Sequence, residues 1–100
     1  MKIYKGRRLN PDEGTISNVV VTVNSEPLKH RGYHSPDGFN WGYGGSGPAD
    51  LARSILWDYL EEEPPGVLYQ NFKDTFVATW KDEWEITSDK IQDWIKDKVH

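Results

Sequence analysis

The chain has 100 residues, enough for one domain, and a chain of this size buries only about two-thirds of its unfolded surface, so its core is modest. It contains no cysteine, which excludes a disulfide framework and a thiolate zinc site and fits a reducing, cytoplasmic setting. A net charge of -4 argues against generic nucleic-acid binding, whose backbone affinity comes from Lys and Arg. No apolar run follows the opening MKIYKGRRLN, so neither a signal peptide nor a membrane span is expected.

No repeat, low-complexity tract or dividing linker interrupts residues 1–100, which are expected to form a single domain. The segment KIYKGRR reads as a first strand; its cations Lys2, Lys5, Arg7 and Arg8 form a solvated face able to meet a phosphate. NPDEG is a turn. NVVVTVN is the strongest strand signal, β-branched with Val19, Val21 and Val23 on one face. NSEP turns the chain into a third strand, PLKHRGY, and SPDG is a second turn with Pro36 at a favoured position. FNWGY then alternates Phe39, Trp41 and Tyr43 on one face. An antiparallel meander is therefore expected over the first forty-odd residues.

A helix follows, from Pro48 to about Glu62. Pro48 suits a first helical turn, where the missing N–H costs nothing. Leu51, Ala52, Ile55, Leu56, Tyr59 and Leu60 recur at helical spacing as an apolar face. Trp57 lies off that face, beside Arg53, Ser54 and Glu61. A large aromatic on the polar side is a candidate partner contact, unless a loop covers it. A short helix is expected over 67–73 and a strand over 75–80, with Trp84, Glu85 and Ile86 extending or pairing with that strand. Thr87 caps a last helix with Asp89 in its first turn and Ile91, Trp94, Ile95 and Val99 as its buried stripe. The fold class expected is α+β, an antiparallel sheet with two to three helices packed against it.

The stretch WGYGGSGPADLA, residues 41–52, sets four glycines and a proline between an aromatic cluster and the apolar helix. Residues 42–47 match the dinucleotide fingerprint G-x-G-x-x-G after a strand and before a helix. The antiparallel surroundings offer no βαβ unit, and Pro48 delays the helix, so a dinucleotide fold is rejected. A P-loop fails because Pro48 and Ala49 stand where Lys and Ser or Thr grip phosphate and magnesium. A nucleophile elbow around Ser46 fails because Pro48 takes the last glycine position. An anion site at the helix start survives, with the backbone amides of residues 44–47 as donors and Arg7, Arg8 or Arg31 as the cation. The blander reading is a tight corner that glycine permits. A corner needs only one or two glycines.

Upstream, Tyr33, His34, Ser35, Asp37, Asn40, Trp41 and Tyr43 crowd the glycines. Aromatics can stack a base while polar side chains read its edge. The expected ligand-binding set is Tyr33, His34, Ser35, Asn40, Trp41, Tyr43, Gly44, Gly45, Ser46, Gly47 and Arg8. His30 and His34 share no helix face and lack a third ligand, so no metal or cofactor is expected. His34 with Asp37 forms an acid–base pair on paper; a turn-stabilising role suits Asp37 better.

These segments carry a resemblance. HSPDGFNWGYGGSGPADLA, with IYKGRR, LYQNFK and WEITSDKIQDWI, resembles an uncharacterised family of short bacterial and phage proteins sharing an H-S-P-x-G-F-x-W-G-Y-G-G-S-G-P core. The resemblance spans nearly the whole chain. It implies a bacterial or phage origin and an accessory role such as phage–host conflict, with no established activity or catalytic residues. Three functions follow as expectations. The first is a module binding a phosphorylated, nucleotide-like small molecule at loop 42–48, for instance to sequester a signalling nucleotide. The second is an inhibitor or adaptor that covers a host protein's basic surface through Trp57 and acidic residues. The third is an enzyme using His34 and Asp37. Monomer and homodimer are both open.

Overall fold

The computed structural model describes residues 1–9, 19–32 and 38–98. Among them, strands β1 (Ile3–Arg8), β2 (Val19–Val23), β3 (Glu26–Pro27) and β4 (Glu83–Thr87) form one antiparallel sheet in the order β3-β2-β1-β4. Helices α1 (Ser46–Leu60), α2 (Gly66–Thr75) and α3 (Ser88–Lys98), with a 3-10 turn at Val77–Thr79, complete an α+β domain. No helix among the described residues is long and apolar enough to cross a membrane.

Strand alternation sorts the side chains. Tyr4, Gly6, Val21, Trp84 and Ile86 turn into the core, whereas Lys5, Arg7, Val20, Glu83 and Glu85 are exposed on the other face. The β2–β3 hairpin turns through Asn24 and Ser25, both at positive φ (50° and 71°), as a two-residue hairpin loop requires when its twist is to match the strands. Asn24 suits that conformation, and its side-chain oxygen accepts a hydrogen bond from Ile3 N–H at 2.9 Å.

The third strand is shorter than PLKHRGY suggests. After Leu28 N–H donates to Val21 O at 3.1 Å, residues 28–32 leave the sheet and cross over α1, where polar groups hold them. Nor is the segment 39–43 a strand. Trp41 drops fully into the core and Gly42 takes φ +87°, a left-handed conformation that breaks an extended run. α1 begins at Ser46, two residues before Pro48, which sits in the first turn as its chemistry allows. Glu61, at φ 60°, ends it, its N–H donating to Trp57 O at 2.8 Å.

Residues 75–80 do not form the expected strand. α2 runs to Thr75, and the chain then tightens into the 3-10 turn, with Thr79 N–H and Oγ1–H both donating to Phe76 O. That turn keeps Phe76 packed with Phe72 of α2 and Trp94 of α3, ring centroids 5.1–5.8 Å apart, whereas a strand would alternate these side chains to opposite faces. Thr87 caps α3, accepting from Lys90 N–H at 3.2 Å, with Asp89 in the first turn. Ile91 is buried, and Trp94 and Ile95 pack against the core. The NPDEG turn, most of SPDG and Val99 lie outside the described residues.

Candidate functional site

Two borders of α1 hold the candidate residues. The first is the glycine-rich loop at its start. Trp41 is wholly buried there and donates through Nε1–H to Lys81 O, with its ring edge-on to Trp84 at 5.7 Å. Arg8 lies over the Trp41 ring at 4.8 Å. Its guanidinium donates to Asn40 Oδ1 at 3.0 Å and to Trp41 O at 2.9 Å. Arg8, Asn40 and Trp41 therefore come together as a brace. A base cannot stack on Trp41 without opening the core, which corrects the expectation for that residue. Tyr43 is about half exposed and can offer a ring face.

Most of the glycines have a steric reason. Gly42 needs its positive φ, and a Cβ there would lie 3.1 Å from Trp80 O. Tyr43 folds back over Gly45, whose added Cβ would stand 2.7 Å from the ring. At Gly47 a Cβ would meet Asn40 Cβ at 2.8 Å. Of these four, Gly44 alone has no described residue within contact distance of an added Cβ. The corner thus uses three glycines because one takes a left-handed φ beside the Trp80 carbonyl and an aromatic ring and an asparagine lie on the other two. Ser46 is exposed at the helix start, and Gly45 makes no side-chain capping bond. Tyr33, His34, Ser35 and Asp37 lie outside the described residues.

The second border is the polar side of α1. Asp50, Arg53 and Ser54 are 0%, 7% and 1% exposed, because residues 28–32 lie over them. Buried polar groups must be paired, and these pair with the covering segment. Asp50 Oδ2 is 2.9 Å from His30 Nε2. Ser54 Oγ accepts from Arg31 N–H at 2.8 Å, and Arg53 Nε–H donates to Arg31 O at 2.8 Å. Gly32 packs so closely on the Asp50 carboxylate that a Cβ would overlap it. The buried carboxylate fixes the orientation of the His30 ring, which also meets Phe39 edge-on at 4.9 Å. Residues 50, 53, 54, 57 and 61 follow helical spacing. That second stripe was readable in the sequence; its cover was not.

Trp57 is half-buried. The guanidinium carbons of Arg31 and Arg53 lie 4.9 and 5.0 Å from its ring centroid, within cation–π range. Beside it opens a cleft of about 290 Å³ lined by Lys2, Leu28, Lys29, Arg31, Ser54, Trp57, Asp58 and Glu61. Both backbone polar groups of Arg31 are bound to α1. Its guanidinium makes no hydrogen bond or ion pair among the described residues, and neither does the Lys29 ammonium. On the cleft's inner wall, Asp58 accepts from Tyr4 Oη–H at 2.7 Å and pairs with Lys2 Nζ at 3.0 Å. Burial, and then the hydrogen bond to Asp58, push the Tyr4 phenol well above its ordinary range. Tyr4 is therefore a neutral donor at physiological pH.

Among the described residues no group of three or more His, Asp or Glu side chains is placed to hold a metal ion. No curated protein and no solved structure matches the chain. The glycine loop, the covered helix and the sheet together fall within one matched region: a family model spans residues 4–97, and the chain belongs to that family of unknown function, DUF6166.

Proposed function

We propose that the protein is a binding module for a phosphorylated, nucleotide-like small molecule, seated in the cleft beside Trp57 in preference to loop 42–48. The observation that carries this reading is Arg31. Its backbone is bolted to α1, its guanidinium is stacked on an indole, and its donors are unused among the described residues at the edge of a concave site. A planar fork with free donors is suited to a phosphate or carboxylate, and a pre-positioned one loses little entropy on binding. Lys29 adds a second cation, and Trp57 and Leu28 supply apolar surface. Glu61 at the rim offers a polar contact for hydroxyl or amino groups. The volume lies at the small end of the range for ligand sites, about 300–1,000 Å³, which fits a mononucleotide better than a dinucleotide.

The loop has weaker support. Its exposed Ser46 and open Gly44 leave room for an anion, but its glycines already serve Tyr43 and Asn40. Calorimetry against nucleoside monophosphates, cyclic nucleotides and inorganic phosphate separates the two sites. The cleft reading expects Arg31→Ala to weaken a phosphorylated ligand by about tenfold or more, corresponding to the loss of a charged hydrogen bond. It expects Ser46→Ala to bind as wild type does. The reverse pattern moves the site to the loop. No binding at millimolar concentration removes the small-molecule reading.

A further inference from the structure

Among the described residues the sheet ends in two edge strands, β3 and β4. They are not equivalent. β3 has two residues, one of them Pro27, and a short edge with proline is protected against pairing. β4 has five residues and no proline.

The ladder shows which β4 groups are in use. In an antiparallel pair, residues alternate between those that exchange hydrogen bonds with the neighbour and those that point away. At one end of the β1–β4 ladder Ser88 N–H donates to Lys2 O at 2.9 Å, and at the other Arg8 N–H donates to Asp82 O at 3.0 Å. Between them the register runs from Ile3↔Thr87 to Arg7↔Glu83. The bonded pairs are therefore Tyr4 with Ile86 and Gly6 with Trp84. Glu83 and Glu85 turn their N–H and C=O groups to the open edge, as Thr87 turns its N–H. Thr87 is otherwise committed to capping α3.

Charge decides what fits this edge. The Glu83 and Glu85 side chains are exposed, level with Arg7 and Lys5 of β1, and Lys5 Nζ is 3.6 Å from Glu85 Oε1. On their far side the two carboxylates have no cation among the described residues. A second copy of β4 would set glutamates against glutamates, and like charges across a ladder are unfavourable. A strand with cations at alternate positions would repeat the β1–β4 pattern on the open side.

We propose that the β4 edge docks an extended basic segment of a partner protein, which adds as a fifth strand. Main-chain bonds to Glu83, Glu85 and Thr87 would supply affinity, and alternate Lys or Arg side chains the selectivity. No residue of the Trp57 cleft takes part, so this proposal stands apart from the ligand reading.

The test titrates the full chain, labelled with nitrogen-15, with the heptapeptide Thr-Val-Lys-Val-Arg-Val-Thr and a control carrying two Glu in place of Lys and Arg. The basic peptide should shift the amides of Glu83, Glu85 and Thr87 and slow their hydrogen exchange at least tenfold. The acidic control should not. Glu85→Pro removes an N–H that the β1 ladder does not use, so the sheet should persist while binding falls at least tenfold. Should Glu85→Pro fail to fold, Glu85→Lys serves instead: it should weaken the basic peptide at least fivefold and strengthen the acidic one. Shifts elsewhere, equal binding of both peptides, no binding at millimolar peptide, or self-association of the free chain through β4 would each overturn the proposal.

Discussion

The two borders of α1 are built by opposite means. At its start, four glycines in six residues bring backbone against a tyrosine ring, an asparagine and the Trp80 carbonyl. Along its flank, Asp50, Arg53 and Ser54 are buried under a segment that answers each of them with a polar group. The first border has the appearance of a ligand motif, yet packing accounts for most of it. The second has no motif at all, yet it fixes Arg31 with its donors unused among the described residues. A pattern of residue types reports what backbone geometry is allowed; it does not report what lies on top of that backbone.

The comparison breaks first at the flank. If buried pairing holds residues 28–32 on α1, Asp50→Ala should cost about 2–3 kcal/mol, below the usual figure for a broken buried pair because His30 is one-third exposed. Gly32→Ala should cost a similar amount, since its methyl would overlap the Asp50 carboxylate. Urea denaturation of both variants checks this. A loss under 1 kcal/mol in each would mean that the segment is not anchored there, and the Arg31 site would lose its basis.

A second contrast concerns two buried tryptophans. Trp41 Nε1–H is bound to Lys81 O, whereas Trp84 Nε1, pressed on Gly6 and stacked on Trp80 at 3.9 Å, has no hydrogen-bond partner among the described residues. Replacing each by Phe removes similar volume. Trp41→Phe also orphans a carbonyl, and Trp84→Phe removes an unsatisfied donor. Trp41→Phe should therefore be the costlier by about 1–2 kcal/mol in thermal or chemical unfolding. Equal costs would show that Trp41 is held by shape alone.

Much of this was legible in the sequence. Valine alternation gave β2, Thr87 and Asp89 marked the start of α3, and Pro48 fell in a first helical turn. What misled was local signal overridden by long-range packing. Phe39, Trp41 and Tyr43 alternate as a strand would, but the core takes Trp41 alone and the chain bends at Gly42. Residues 75–80 are β-branched or aromatic except Ala78, but Phe76 is needed beside Phe72 and Trp94. In the candidate site, the apolar stripe of α1 was plain. Its polar stripe was readable at the same spacing, but no local rule says that a polar stripe is covered. Arg31 was in view as one of three cations able to meet a phosphate; its anchoring to Ser54 and Arg53 depends on a crossing that sequence spacing does not encode.

Tyr4 sharpens the flank on a smaller scale. Its hydroxyl donates to Asp58 at the inner wall of the cleft. Tyr4→Phe should cost about 1.5 kcal/mol, the worth of a hydrogen bond to a charged group. The folded state raises the phenol's pKa. The stabilisation is therefore full below the unfolded value of about 10 and is lost as pH rises above it. Denaturation curves between pH 7 and 11 should show the gap between wild type and Tyr4→Phe narrowing only at the alkaline end. A gap that stays constant to pH 11 would mean that burial and the bond to Asp58 do not hold the phenol in its neutral form.

The smallest effect belongs to the loop, and it is the cleanest discriminator between packing and ligand. Gly44 alone of the four has nothing among the described residues within contact distance of an added methyl, and its φ is not in the left-handed region. Gly44→Ala should thus change stability by no more than about 0.5 kcal/mol, as at an ordinary surface site. Gly42→Ala should cost about 1–2 kcal/mol, because alanine must adopt φ +87° against the Trp80 carbonyl. With folding intact in Gly44→Ala, any loss of affinity for a phosphorylated ligand must come from the blocked approach of an anion to the backbone. Unchanged affinity there, together with a loss in Arg31→Ala, assigns the ligand to the covered flank of α1 and leaves the glycines to the tyrosine that lies on them.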